Sequence, residues 1–202
     1  MLATLFRVPL RRSRSRVALA LLVSLAQLAA APAAPAATIG NGPVLVAGYS
    51  GDEDASGQAQ DLLLYSFGWR WRWDGADVID DFFAKIHTDF SWAVEPLVGA
   101  VVADAKAFEA SVVPYVHLSP LGQDGFVPWF EGGVGLAYTG LHNYGLGSHV
   151  EFSDNAGIGV TLGSGQSRRW SIGYRFRHLS HLGLFGDRNE GLNAHFLTLT
   201  VE

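Results

Sequence analysis

The stretch Trp170 to Ser180 reads W-S-I-G-Y-R-F-R-H-L-S. In a β-strand, alternate residues point to opposite faces. One face is then Trp170, Ile172, Tyr174, Phe176, His178 and Ser180, and the other is Ser171, Gly173, Arg175, Arg177 and Leu179. A soluble strand would bury the aromatic face and hydrate the arginines. In a membrane barrel the aromatic face meets lipid and the arginines line a polar interior. The rest of the chain favours the second arrangement.

Seven more segments alternate in the same way between turns rich in Gly, Asp, Ser and Pro, which is the pattern of strands and hairpins. The first strand is expected over Val44 to Tyr49 and the second over Asp61 to Trp73, where Leu63, Tyr65, Phe67, Trp69, Trp71 and Trp73 share a face opposite Arg70 and Arg72. After a loop from Asp74 to Lys85, strands follow over Ile86 to Glu95, Phe108 to Leu118, Trp129 to Tyr138 and Val150 to Leu162. The Trp170 stretch is the seventh, and His195 to Val201 is the eighth. An even count of eight is enough to close a small barrel.

The faces opposite the aromatics carry Arg70, Arg72, Arg175 and Arg177 together with Asp89, Glu95, Glu109, Glu131 and Glu151, a set that can pair internally. Gly133, Gly135, Gly157, Gly159 and Gly173 fall on the same faces and are expected to leave room for the arginines. A soluble barrel with a ligand cavity would show the reverse, with charges outside. Trp69, Trp71, Trp73, Trp92, Trp129 and Trp170 are accordingly read as belt and lipid-facing residues. The fold class is all-β: an eight-stranded antiparallel transmembrane barrel over residues 38–202.

Residues 1–37 read as a signal peptide cleaved between positions 33 and 37. Arg7, Arg11, Arg12, Arg14 and Arg16 precede an apolar run from Val17 to Ala31 and then a small-residue segment. Without this segment, nine basic residues face 19 acidic ones, a formal charge of −10. That balance argues against a nucleic-acid partner. The chain has no cysteine, which removes disulfides and thiolate metal sites. His178, His181 and His195 do not share a face with a completing carboxylate, so no metal site is expected. No cofactor is expected either.

His178 and Ser180, two apart on one strand, share a face with Cβ atoms about 7 Å apart, within reach of a nucleophile and its base. By itself this spacing also suits the polar rim of a strand leaving the bilayer. More specific is the run Tyr174-Arg-Phe-Arg-His178-Leu-Ser180 with Gly183-Leu184 and Asn189-Glu190-Gly191-Leu192-Asn193. Upstream stand Pro128, Glu131, Gly133, Gly135, Leu146-Gly147, Phe152, Asp154, Gly157 and Gly159. Together these motifs resemble the lipid A 3-O-deacylases, the PagL-type family, most fully from Trp129 to the end.

The resemblance implies an outer-membrane barrel whose Ser, His and acidic residue lie on its outer surface and hydrolyse the ester-linked chain at the 3-position of lipid A. It implies Ser180 as nucleophile and His178 as base. The family has Asn-Ala after the serine, with the Asn holding the oxyanion; His181-Leu182 stand here, so His181 and the backbone of Gly183 are the oxyanion candidates. The third member is Asn193 or Glu190. Asn193 shares outward parity with Val201, Leu199, Leu197 and His195, whereas Glu190 lies in the hairpin loop. The partners so implied are lipid A or lipopolysaccharide and the cell outer membrane, with a homodimer left open. The competing function is a small outer-membrane barrel with a binding or structural role and no activity.

Overall fold

The computed structural model describes residues 38–51, 61–75, 77–103, 106–122, 125–163, 168–184 and 190–202. The expected signal peptide, residues 1–37, lies outside them. Eight strands run β1 (Thr38–Ser50), β2 (Leu62–Asp74), β3 (Thr88–Ala103), β4 (Ala107–Pro120), β5 (Gly125–Thr139), β6 (Val150–Gly163), β7 (Trp170–Ser180) and β8 (Leu192–Val201). Each pairs antiparallel with its sequence neighbours, and β1 closes on β8 with Leu45 opposite Leu199. The result is an eight-stranded antiparallel barrel of the outer-membrane type. A short helix, α1 (Asp77–Ala84), joins β2 to β3, and an irregular coil at His142–Leu146 lies between β5 and β6.

The two faces separate as the alternation requires. Arg70, Glu95, Glu109, Glu131, Glu151, Arg175 and Arg177 are buried inside, while Tyr65, Phe67, Trp69, Ile158, Tyr174 and Leu197 are exposed outside. So much aromatic and aliphatic surface is unfavourable against water and neutral against lipid. Most of the interior charges compensate one another; Glu151 is the exception among the described residues, with neither carboxylate oxygen hydrogen-bonded. Glu95 forms ion pairs with Arg70 (2.6 Å) and Arg175 (2.6 Å), and Glu131 with the same two guanidinium groups at 2.9 Å each. Tyr115 lies against both cations, 5.3 Å from Arg70 and 4.7 Å from Arg175. Arg177 pairs with Glu109, and Arg72 pairs with Glu202 at 2.9 Å.

Several expectations change. The first strand begins at Thr38, well before Val44, and the third begins at Thr88, so Ile86 lies in the turn before it. The third strand extends well past Glu95, because Pro96 is tolerated: pairing with β2 runs from Trp71↔Val94 to Gly68↔Leu97, stepping over the residue that has no N–H to give. Trp129 is not a belt residue; it is 6% exposed and points inward. A Cβ on Gly159 or Gly173 would come within 2.3 Å of its ring, so these glycines make room for an indole, not an arginine. The remaining tryptophans of β2, β3 and β7 keep outward parity near the rim where β1 begins and β8 ends.

At the opposite rim, Leu141 and Leu146 are fully buried and pack with Leu179, Leu192 and Phe196, closing the lumen beneath the loops. The facing can be tested with single cysteines, since the chain has none of its own. Labels at Ile158 and Leu197 should be quenched by a lipid-phase quencher in liposomes, and labels at Thr198 and Ser171 should not. The opposite pattern would turn the barrel inside out.

Candidate active site

β7 ends at Ser180 on the loop-rich rim, and its outward parity brings His178 and Ser180 to the outer wall. Ser180 lies opposite Phe152 of β6 and is 4% exposed. His178 lies between two polar cross-strand neighbours, Asp154 on β6 and Asn193 on β8. Its Nδ1 is 2.8 Å from Asn193 Oδ1. With the amide oxygen as acceptor, Nδ1 carries the proton, and Nε2 of the neutral ring keeps a free lone pair for a hydroxyl.

Gly191 completes the ring's cradle. Its φ of +79° is in the left-handed region, and a Cβ there would come 2.5 Å from Cε1 and 3.1 Å from Nε2 of His178. Both conformation and space therefore require glycine at this place. Within the Glu190-Gly191-Leu192-Asn193 run, the glycine is a positioning residue that alternation alone does not reveal. Asp154 is the other neighbour of His178 that alternation along one strand does not place. It is half-buried on the outer face, directly opposite His178 across the β6–β7 pair. Cross-strand register is what makes it part of the site, and a single strand's pattern carries no register.

Beyond Ser180 the chain turns sharply. The Leu184 N–H donates to the His181 carbonyl at 2.9 Å, and both central residues have positive φ, +56° at Leu182 and +77° at Gly183. A non-glycine residue in that region is uncommon, and here it stands in the first turn after β7, two residues past the serine. The His181 side chain is fully buried, whereas Gly183 is exposed. Glu190 is exposed and turns toward the neighbouring loop. Its N–H donates to the Gly145 carbonyl at 3.0 Å, and a Cβ on Gly145 would meet its carboxylate at 3.0 Å. His195 is bonded through Nδ1 to the Tyr174 hydroxyl at 2.6 Å. Of the sequence candidates, His178, Ser180 and Asn193 thus share one outer patch, while Glu190 lies against the neighbouring loop and His181 is fully buried just after the strand.

The fold is shared with two solved outer-membrane proteins. The structure of the outer membrane enzyme PagL matches with a TM-score of 0.55 at 22% identity, covering 79% of this chain and 99% of that one. Neisserial surface protein A matches with a TM-score of 0.50 at 11% identity, covering 80% and 93%. No curated protein matches the chain. The model of the family described as lipid A 3-O-deacylase (PagL) matches residues 63–202, which takes in every strand but the first and all of the patch around His178. The chain belongs to the lipid A 3-O-deacylase (PagL) family.

Proposed function

We propose that the protein is an outer-membrane esterase that removes the acyl chain at the 3-position of lipid A, with Ser180 as nucleophile and His178 as general base. The observation that carries this reading is the hydrogen bond from His178 to Asn193 on the lipid-facing wall beside Ser180. A substrate held in the outer leaflet reaches that wall laterally and need not leave the bilayer. The lumen is closed beneath the loops, so the chemistry belongs to the outside.

Ser180 Oγ attacks the acyl carbonyl while His178 Nε2 takes its proton. The tetrahedral intermediate collapses as the imidazolium returns that proton to the sugar 3-oxygen, leaving an acyl-serine that water hydrolyses to the free fatty acid. Asn193 orients the ring but carries no charge to balance the imidazolium. Asp154, the cross-strand partner of His178 on β6, is the acidic side chain placed to balance it. The backbone N–H of Gly183 is the better oxyanion donor of the two candidates, because Gly183 is exposed whereas the side chain of His181 is fully buried.

Asn193→Ala should lower deacylation about a hundredfold or more, since a mis-oriented triad histidine costs up to about four orders of magnitude. Asn193→Glu should be as fast as the parent or faster, Asp154→Asn intermediate, and Glu190→Ala nearly unchanged. Loss of activity in Glu190→Ala would instead make the loop carboxylate the third member. As a direct test of the mechanism, a serine-directed phosphonate probe should modify Ser180 in the refolded barrel. Modification at another serine, or none in protein that hydrolyses lipid A, would rule out this nucleophile.

A further inference from the structure

At the rim opposite the site, α1 is built to lie on the outside of the barrel. Phe83 stacks on Phe90 with ring centroids 5.0 Å apart and planes 13° from parallel, and Phe90 meets Trp92 edge-on at 5.3 Å. Phe90 and Trp92 have the outward parity of β3, opposite the buried Ser91 and Ala93, so the helix leans on the lipid-facing wall. Trp92 lies opposite Trp73 of β2, within the tryptophan belt that marks a membrane interface.

The helix and the turn beside it then leave apolar side chains largely uncovered by the described residues. Phe82 is 61% exposed and Ile86 59%, with Leu121 of the β4–β5 turn similarly open. These positions are held in place. The His87 N–H donates to the Ala84 carbonyl at 3.0 Å, the His87 carbonyl accepts from the Leu121 N–H at 2.9 Å, and His87 itself has a φ of +57°. A non-glycine residue kept in that conformation fixes where Ile86 points.

We propose that α1 is an interfacial anchor, lying in the phospholipid leaflet at the rim where β1 begins and β8 ends, with Phe82, Ile86 and Leu121 among the acyl chains. Its occupant is a zwitterionic leaflet. Asp74, Asp77, Asp80 and Asp81 outnumber the single Lys85 across this segment, and an acidic interfacial segment is repelled by anionic headgroups. The apolar patch is continuous through Phe83 and Phe90 with the lipid-facing wall already described, which is why lipid and not a protein partner covers it. The anchor fixes the depth of this rim and thereby the height at which His178 and Ser180 meet the other leaflet.

The experiment is nitroxide labelling of Phe82→Cys, Ile86→Cys and Asp81→Cys, one at a time, in the full barrel refolded into phosphatidylcholine–phosphatidylethanolamine vesicles. Collisions with oxygen should dominate at positions 82 and 86, and collisions with a water-soluble nickel chelate at 81. Replacing part of the lipid with phosphatidylglycerol should move 82 and 86 toward water. Nickel access at 82 and 86 equal to that at 81 would overturn the proposal. Protection from both reagents would also overturn it by placing a second protein there, and deeper insertion with anionic lipid would overturn the zwitterionic assignment.

Discussion

Ser180→Ala is expected to lower the release of the 3-linked chain by at least about three orders of magnitude, the loss seen when a nucleophile is removed from a serine hydrolase. The barrel itself should be unaffected. The substitution removes one oxygen from a small side chain at the end of β7 and breaks no ion pair of the interior. His178→Ala should cost as much, because the ring supplies the base and is the partner through which Asn193 acts. The two losses should not add: with either member gone the other has no role, so the double variant should match the single ones. Folding is checked separately, by the migration of unheated protein in gels or by circular dichroism, and activity by the fatty acid released from purified lipid A.

The second large effect is on stability. Arg175→Ala is expected to destabilise the barrel by about 3–5 kcal/mol, the usual cost of removing one partner from a buried ion pair. Arg175 donates to Glu95 and Glu131, and without it two buried carboxylates share the single guanidinium of Arg70. Tyr115 would lose one of the two cations against its ring. Arg175→Lys should recover only part of this, since an ammonium cannot span both carboxylates as the planar fork does. Urea unfolding in lipid vesicles measures it. A change below about 1 kcal/mol, the value typical of exposed pairs, would mean that water screens the interior charges.

Much of the fold is legible in the sequence because lipid and a charged lumen make the two faces of each strand chemically opposite. Arg70 and Trp69 are adjacent in the chain and point into different media, and that contrast repeats around the barrel. The pattern fails where the contrast fails. Trp129 is apolar yet inward, and only the two glycines facing it, Gly159 and Gly173, account for the space it fills. Pro96 looks like the end of a strand because a proline lacks a ladder donor, and the strand continues because the register steps over it.

The patch around His178 divides in the same way. Ser180 and Asn193 follow from parity along their own strands. Asp154 and Gly191 depend on which residues of neighbouring strands and loops stand opposite one another, and pairing register is written in no single segment. The coil at His142–Leu146, which packs Leu146 into the barrel end and receives Glu190, has no periodicity from which its path could be read.

The most direct test of the account is mass spectrometry of lipid A from Gram-negative cells producing the wild-type chain or Ser180→Ala. Wild-type cells should contain lipid A lighter by one ester-linked acyl chain, with a free hydroxyl at the 3-position, and the Ser180→Ala cells should contain the intact species. Unchanged lipid A in cells with folded wild-type barrel in the outer membrane, or the same loss of the chain in both strains, would contradict it.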